Sequence, residues 1–291
     1  MTADLARPSE ARPYELIGPR GSGAVERLKE SWRSRLLVPF FARRFNSKRY
    51  ARTWLGVTWL FLRPLFMVGS QLILFKGILD VSTGPFPYLV VYLISFIGWN
   101  LFSETAYWST RSLELNRSLL RRLHVPRGTL LFASMAPAVV DAAIIFGFLA
   151  LTLLGYLIVD GQIELSLSPM TPVYVSIGLA LTIAWGQAIG LLLSVPGAQA
   201  RDVRFGLRYA LTFWYFLTPV AYPVSEARVA ARTLVDLNPI TAPISFLKSG
   251  LLGMDLPSTM AVLSSTLFLI PLVAAGALVF FRAEAAALDH I

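Results

Sequence analysis

Cysteine is absent from this chain, and histidine occurs only at His124 and His290. Disulfides, cysteine nucleophiles and thiolate metal sites are therefore excluded, and two distant histidines make no metal-binding cluster. Charge is also scarce, with 15% of the 291 residues charged against 55% hydrophobic. That balance is too apolar for an ordinary soluble domain and fits an integral membrane protein. A nucleotide-binding motif is missing. The stretch GPRGSG at 18–23 is glycine-rich, but it lacks the Lys-Ser/Thr that holds phosphate and magnesium, and no strand precedes it. Any ATP that drives this protein is then bound, with its magnesium, by a partner ATPase, and no cofactor is expected in this chain. Carboxylates are scattered at Glu104, Asp141, Asp202, Asp236 and Asp255. A membrane enzyme working on lipid-linked diphosphates needs them clustered around a divalent cation. No metal site and no catalytic residue are expected.

The charge that is present is lopsided, at a net +9. The basic residues stand beside apolar runs rather than in polar patches interleaved with aromatics, which argues against nucleic acid as a partner. Residues 1–25 are polar, carry Pro8, Pro13 and Pro19, and have no short apolar core of the kind a secretory signal needs. They are expected to form a disordered cytoplasmic tail. From residue 26 to 45, Leu28, Trp32, Leu36 and Phe40 recur at helical spacing beside a second row of Leu37, Phe41 and Phe45. Arg27, Lys29, Glu30, Arg33 and Arg43 lie on the other side, the pattern of an amphipathic helix in the membrane interface or, alternatively, packed on the cytoplasmic surface. Pro39 is expected to kink or interrupt it. Arg43, Arg44, Lys48, Arg49 and Arg52 then lead into an apolar run, so that 26–58 reads as an amphipathic interface and gate region.

A spanning helix needs about 20 mostly apolar residues. Six segments approach that length, at 59–79, 86–108, 129–159, 172–195, 207–222 and 257–281, the fifth having the shortest apolar core. All but Lys76, Arg228, Arg232 and Lys248 of the basic residues fall on one set of alternate loops and the termini, which predicts cytoplasmic N and C termini. The last, 282–291, is a short cytoplasmic tail. Between the fifth and sixth segments, 225–237 and 240–252 are too short to span and are separated by Asn238 and Pro239. They suit a pair of re-entrant helices. The expected fold is an all-α integral membrane protein with six transmembrane helices, an N-terminal amphipathic interface helix and two short re-entrant helices between helices 5 and 6.

Glu104 and Asp141 fall within predicted spans, where a charge is expensive. They form either a proton or substrate site or an interhelical hydrogen bond, with Arg63 as a candidate partner. GQAIG at 186–190 offers a small-residue helix-packing face. Around the first and fifth segments, Trp54, Trp59, Phe66, Tyr209, Phe213, Trp214, Tyr215, Phe216 and Tyr222 form an aromatic concentration. Such rings suit either the apolar face of a sugar or plain lipid contact. The loop NRSLLRRLHVPRG at 116–128 alternates leucines with Arg117, Arg121 and Arg122. It can form a short amphipathic helix that docks on a soluble partner or anchors to the membrane surface.

Together these motifs resemble the membrane subunits of ABC-2-type polysaccharide exporters, which move O-antigen, capsule, teichoic acid or other cell-wall glycans. The resemblance covers about residues 26–281. It is carried by Arg49, Tyr50, Thr53, Leu55, Gly56, Trp59 and Pro64 at the entry to the first span, and by Asn116, Pro126 and Arg127 in the first cytoplasmic loop. Arg201 with Asp202, TPVAYP at 218–223 and LNPIT at 237–241 complete it. Arg63 stands where that family commonly has Gln, and Lys248 where Arg is frequent. The resemblance implies a six-helix ABC-2-type transmembrane domain over 59–281, in the bacterial inner membrane. It further implies a homodimer working with two copies of an ATP-binding subunit on a lipid-linked polysaccharide among membrane lipids. By the same resemblance Arg49, Arg52, Trp54, Trp59, Phe66, Phe213, Tyr215, Phe216 and Tyr222 would line the substrate channel and gate. Arg117, Arg121, Arg122, His124, Arg127, Arg201 and Asp202 would couple to the ATPase. The alternatives are an exporter of drugs or small lipids and a membrane-embedded transferase acting on a lipid-linked sugar.

Overall fold

The computed structural model describes residues 33–49, 53–120, 127–161, 165–222 and 229–288, and among them every regular element is helical. A 3-10 turn over Ser34–Leu37 leads into α1 (Val38–Arg49). Pro39 therefore sits in the first turn of α1, directly after the change from 3-10 to α geometry at Val38, and so marks an interruption of the helical run. The two apolar rows of α1 part company. Phe41 and Phe45 are buried against Trp108, Leu130 and Ala133, whereas Leu36 and Phe40 stay exposed. One row thus holds α1 to the protein and the other stays exposed.

After the 3-10 turn Gly56–Thr58, the first long segment is α2 (Trp59–Gln71), continued as a π-helix over Leu72–Ile78. Then come α3 (Tyr88–Thr110), α4 (Arg127–Ala133), α5 (Ala136–Asp160), α6 (Thr171–Gln199), α7 (Arg201–Leu217), α8 (Val229–Leu237), α9 (Thr241–Leu252) and α10 (Thr259–Leu288). Short helical turns at Ser112–Leu115 and Arg117–Leu120 lie between α3 and α4.

α3 is the central post. Its sequence YLVVYLISFIGWNLFSETAYWST is apolar on nearly every side, and such a helix is stable only when surrounded. α5, α6 and α9 pack around it. The close approach of α6 depends on small residues. A Cβ on Gly186 would lie 2.6 Å from Thr105 Cβ, and one on Gly190 would collide with Ser109. The GQAIG stretch is therefore a helix-packing face turned to α3.

Among the described residues, five helical stretches are long and apolar enough to cross a membrane: Gly56–Ile78, Tyr88–Thr110, Arg127–Val159, Thr171–Gln199 and Thr259–Phe280. The segment expected at 207–222 is not among them. Its helix, α7, runs from Arg201 to Leu217, and Arg201, Asp202, Arg204 and Arg208 fill its first half. Thr218, ahead of Pro219, turns extended and ends it, because the proline ring disfavours the helical conformation in the residue before it.

Helices α8 and α9 are too short to span, at 9 and 12 residues. α9 is largely buried against α3, α6 and α10, and Leu247 touches the position where Gly98 would carry a side chain. Asn238, between α8 and α9, ties that turn to the end of α7. It accepts from Trp214 Nε1 at 3.0 Å and donates to Thr218 Oγ1 at 2.8 Å and the Leu217 carbonyl at 3.1 Å. The turn over 218–222 is held from two more directions. Buried Lys248 donates to the Pro219 carbonyl at 2.9 Å, and Tyr88 Oη to the Ala221 carbonyl at 2.9 Å.

Candidate functional site

One face of α3 borders a cavity. Phe96, Trp99, Asn100, Ser103, Glu104 and Tyr107 recur at steps of three and four residues, so they lie one above another along the helix. They form the back wall of a cavity of about 410 Å³. α2 closes one side with Trp59, Arg63, Pro64, Met67 and Gln71, and α7 the other with Arg208, Leu211, Thr212, Tyr215 and Phe216. Arg49 of α1 and Asp141 and Ile145 of α5 complete the lining.

The wall toward α7 is aromatic. Tyr215 meets Trp99 edge-on at 5.5 Å and shares a 3.2 Å hydroxyl contact with Tyr92, while Trp214 meets Phe102 at 5.3 Å. Leu207, Leu211 and Tyr215 are the buried stripe that seats α7 on α3. The opposite stripe, Phe205, Tyr209, Phe213 and Phe216, is exposed.

A charged cluster lies at the end of the cavity nearest α1. Arg49 grips Asp141 with both guanidinium nitrogens, at 2.6 and 2.5 Å, the two-pronged geometry that makes arginine–carboxylate pairs strong. Arg63 is paired with Glu104. The pairs are cross-linked, with Arg49 3.8 Å from Glu104 and Arg63 4.0 Å from Asp141. Glu104 also accepts from Trp108 Nε1 at 2.9 Å. Two cations and two anions from α1, α2, α3 and α5 thus neutralise one another, which is how buried charge is tolerated. The two acids link α1, α2, α3 and α5 through these pairs, and Arg63 is among their partners, as its place in the sequence suggested.

Basic residues next to this cluster bind the start of the loop after α3. Arg44 Nε donates to Asn116 Oδ1 at 3.1 Å, and Lys48 Nζ donates to the Leu115 carbonyl. Burial pulls the Lys48 ammonium below the usual lysine range, and neighbouring Arg44 adds to the shift. Arg117 donates to the Ala198 carbonyl at 2.8 Å, joining that loop to the end of α6. Glu114 bridges Arg111 at 3.2 Å and Arg204 at 3.6 Å, which brings in α7.

The structure gathers Arg49, Trp59, Tyr215 and Phe216 of the expected channel residues around one cavity. Arg49 is there as the buried partner of Asp141, its side chain 7% exposed, rather than as a cation offered to solvent. Trp54, at 98% exposure on the turn before α2, and the outward-facing Phe66 and Phe213 do not line the cavity. Tyr222 lies beyond α7, its hydroxyl 3.4 Å from the Phe216 carbonyl. Of the expected coupling residues, Arg117, Arg201 and Asp202 share the basic end of the molecule with α1, and Arg127 opens α4. Arg52, Arg121, Arg122 and His124 lie outside the described residues.

Trp99, Asn100, Ser103, Tyr107 and Arg208 line the cavity without having been singled out in the sequence. For the four on α3 the signal was present: polar and aromatic residues recurring at helical spacing through an otherwise apolar span.

Among known proteins, no family model matches the chain. It is 27% identical over 222 residues to the O-antigen export system permease protein RfbA of Myxococcus xanthus, covering 75% of this chain and 81% of that protein.

Proposed function

As a relative of a permease from a polysaccharide export system, this chain is, we propose, the membrane-spanning subunit of an ATP-driven exporter that carries a lipid-linked polysaccharide out of the cytoplasm. A separate ATPase supplies the hydrolysis, and two copies of this chain form the pathway. The single observation that carries the reading is the cavity between α2, α3 and α7, aromatic along one wall and bordered by a self-neutralised charge cluster. Aromatic rings offer flat apolar surfaces to the C–H faces of pyranoses while leaving hydroxyls solvated, so a long sugar chain can slide over them without a deep energy minimum. The exposed stripe of Phe205, Tyr209, Phe213 and Phe216 extends that surface outside the cavity and is the face on which a second copy would complete the path.

A 17-residue α7 with a charged first half fits this role better than the role of a lipid-embedded span. Its apolar second half enters the bilayer packed against other helices, with α8 and α9 forming a re-entrant pair at its far end. The basic end formed by α1, the loop after α3 and the α6–α7 junction is, on this reading, the cytoplasmic docking surface for the ATPase; the Lys and Arg distribution supports cytoplasmic termini.

Glu104 and Asp141, the acids that a transferase would need, are each held by arginine. This favours transport over transfer chemistry. Purification from the native membrane tests the reading: a stable complex with an ATP-hydrolysing subunit is expected, and a chain that turns over lipid-linked sugars by itself would overturn it.

A further inference from the structure

The charge cluster occupies one end of the cavity, and farther along its lining are two amides. Asn100 lines the cavity from α3 and is 8% exposed, and among the described residues no group donates to its Oδ1. Gln71 lines it from α2, and its buried Oε1 likewise has no donor. Arg63 is paired with Glu104, and both amides lie between that pair and the loop that joins the two helices. Gln71 stands about two turns along α2 and Asn100 about one turn along α3, so they are set apart from the charged end. Their neighbours in the lining are rings, Phe96 and Trp99 of α3 and Tyr215 and Phe216 of α7.

A buried carbonyl oxygen without a donor is costly to keep. Two of them on adjoining walls set a condition on a ligand in this cavity: it must bring O–H or N–H groups. An acyl chain, an ester or a phosphate diester brings none. A sugar brings a hydroxyl on most ring carbons, together with an apolar C–H face for the aromatic residues beside the amides. A side-chain amide turns about its last torsion at little cost. Each oxygen can therefore follow a hydroxyl, and the amide N–H groups can donate to the next sugar oxygen.

We propose that Asn100 and Gln71 form a neutral subsite that recognises the hydroxyl groups of a pyranose ring, with Trp99 supplying the apolar surface beside them. The subsite reads hydrogen-bond donors rather than charge. A ring whose hydroxyls are blocked leaves both oxygens unpaired, and sites built to bond a hydroxyl reject analogues that lack it. The inference rests on the export reading, which supplies the reason for a glycan to enter the cavity.

The full chain, labelled with 5-fluorotryptophan in phosphatidylcholine nanodiscs, is titrated with maltotriose, a neutral trisaccharide of pyranoses, or with maltotriose methylated at every hydroxyl. The methylated sugar keeps its ring faces and oxygens but donates no hydrogen bond. The Trp99 fluorine signal, identified by its loss in Trp99→Phe, reports binding. Maltotriose is expected to bind about tenfold more tightly than the methylated sugar, as two hydrogen bonds of ordinary net strength imply. Asn100→Leu and Gln71→Met, which nearly keep side-chain shape, should each reduce that preference about threefold. Both should leave the thermal midpoint unchanged or higher, because each deletes a buried oxygen that has no donor. A lowered midpoint in both variants with the preference intact would make the amides parts of the fold and overturn the subsite. Equal affinity for the two sugars would also overturn it, while leaving the aromatic path of the export reading in place. No response at Trp99 to either sugar would overturn the subsite and the sugar path together. A sugar preference that holds in a chain purified without any ATPase would break the export reading and leave the subsite standing.

Discussion

α3 and the first span are neighbours of similar length, yet they live in opposite conditions. Residues of α3 are buried almost from end to end, whereas along Gly56–Ile78 only Pro64 and Val68 are. α3 is surrounded by close helix contacts, including glycine-mediated ones from α6. The first span shows Phe61, Leu65, Phe66, Ile73 and Ile78 to the outside and reaches the core through few contacts, one of them an ion pair. In water such an exposed face would mark a binding surface; in a bilayer it is covered by lipid or by a second copy of the chain. The difference assigns the two helices different work. α3 fixes the geometry of the cavity wall, and the first span forms its more exposed side.

That contrast can be broken most severely at the α3–α6 seam. Gly190→Val drives two methyl groups into Ser109, in a seam with no room to yield. The clash exceeds the ordinary overpacking cost of about 1–3 kcal/mol, because even a bare Cβ would collide with Ser109 Cβ, and the yield of monodisperse protein on size-exclusion chromatography should collapse. Asp141→Ala comes next. It removes the two-pronged partner of a buried arginine, a loss of about 3–5 kcal/mol where the remaining charge stays buried. The thermal midpoint should fall, and Arg49→Leu combined with Asp141→Leu should recover much of it. Trp214→Phe is milder. It deletes the Nε1 bond to Asn238, whose oxygen still accepts from the Ile240 N–H at 3.1 Å. A cost of about 1 kcal/mol is expected, read as a small drop in midpoint. Phe213→Ala should have the smallest effect on stability, within about 0.5 kcal/mol, because its side chain lies outside the core. On the export reading, it should still reduce surface glycan. Unchanged glycan would remove Phe213 from the path.

The features legible in the sequence are those that depend on local pattern. The apolar spans, the packing face at Gly186 and Gly190, the half-length α8 and α9, and Arg63 as partner of an intramembrane acid all follow from composition, spacing or the price of buried charge. What the sequence obscured depends on which neighbour a residue meets. Arg49 lies in a basic run that suggests an exposed gate, yet it is buried because α5 presents Asp141 to it. Segment 207–222 looks like a short span because the apolar residues of the 218–222 turn extend the run. Only the turn at Pro219 reveals that the helix starts six residues earlier and stops at Leu217. Trp54 and Trp59, five residues apart, look equivalent in sequence, and the 3-10 turn Gly56–Thr58 places one outside and the other in the cavity lining.

On the export reading, the chain moves a finished polysaccharide rather than building one. Deleting it from its native host and fractionating the lipid-linked glycan separates the two. Full-length polysaccharide still attached to its lipid should accumulate in the cytoplasm and disappear from the surface, and the wild-type chain should restore it. If the deletion instead halts synthesis, or leaves surface glycan unchanged, the account of α2, α3 and α7 as an export path is contradicted.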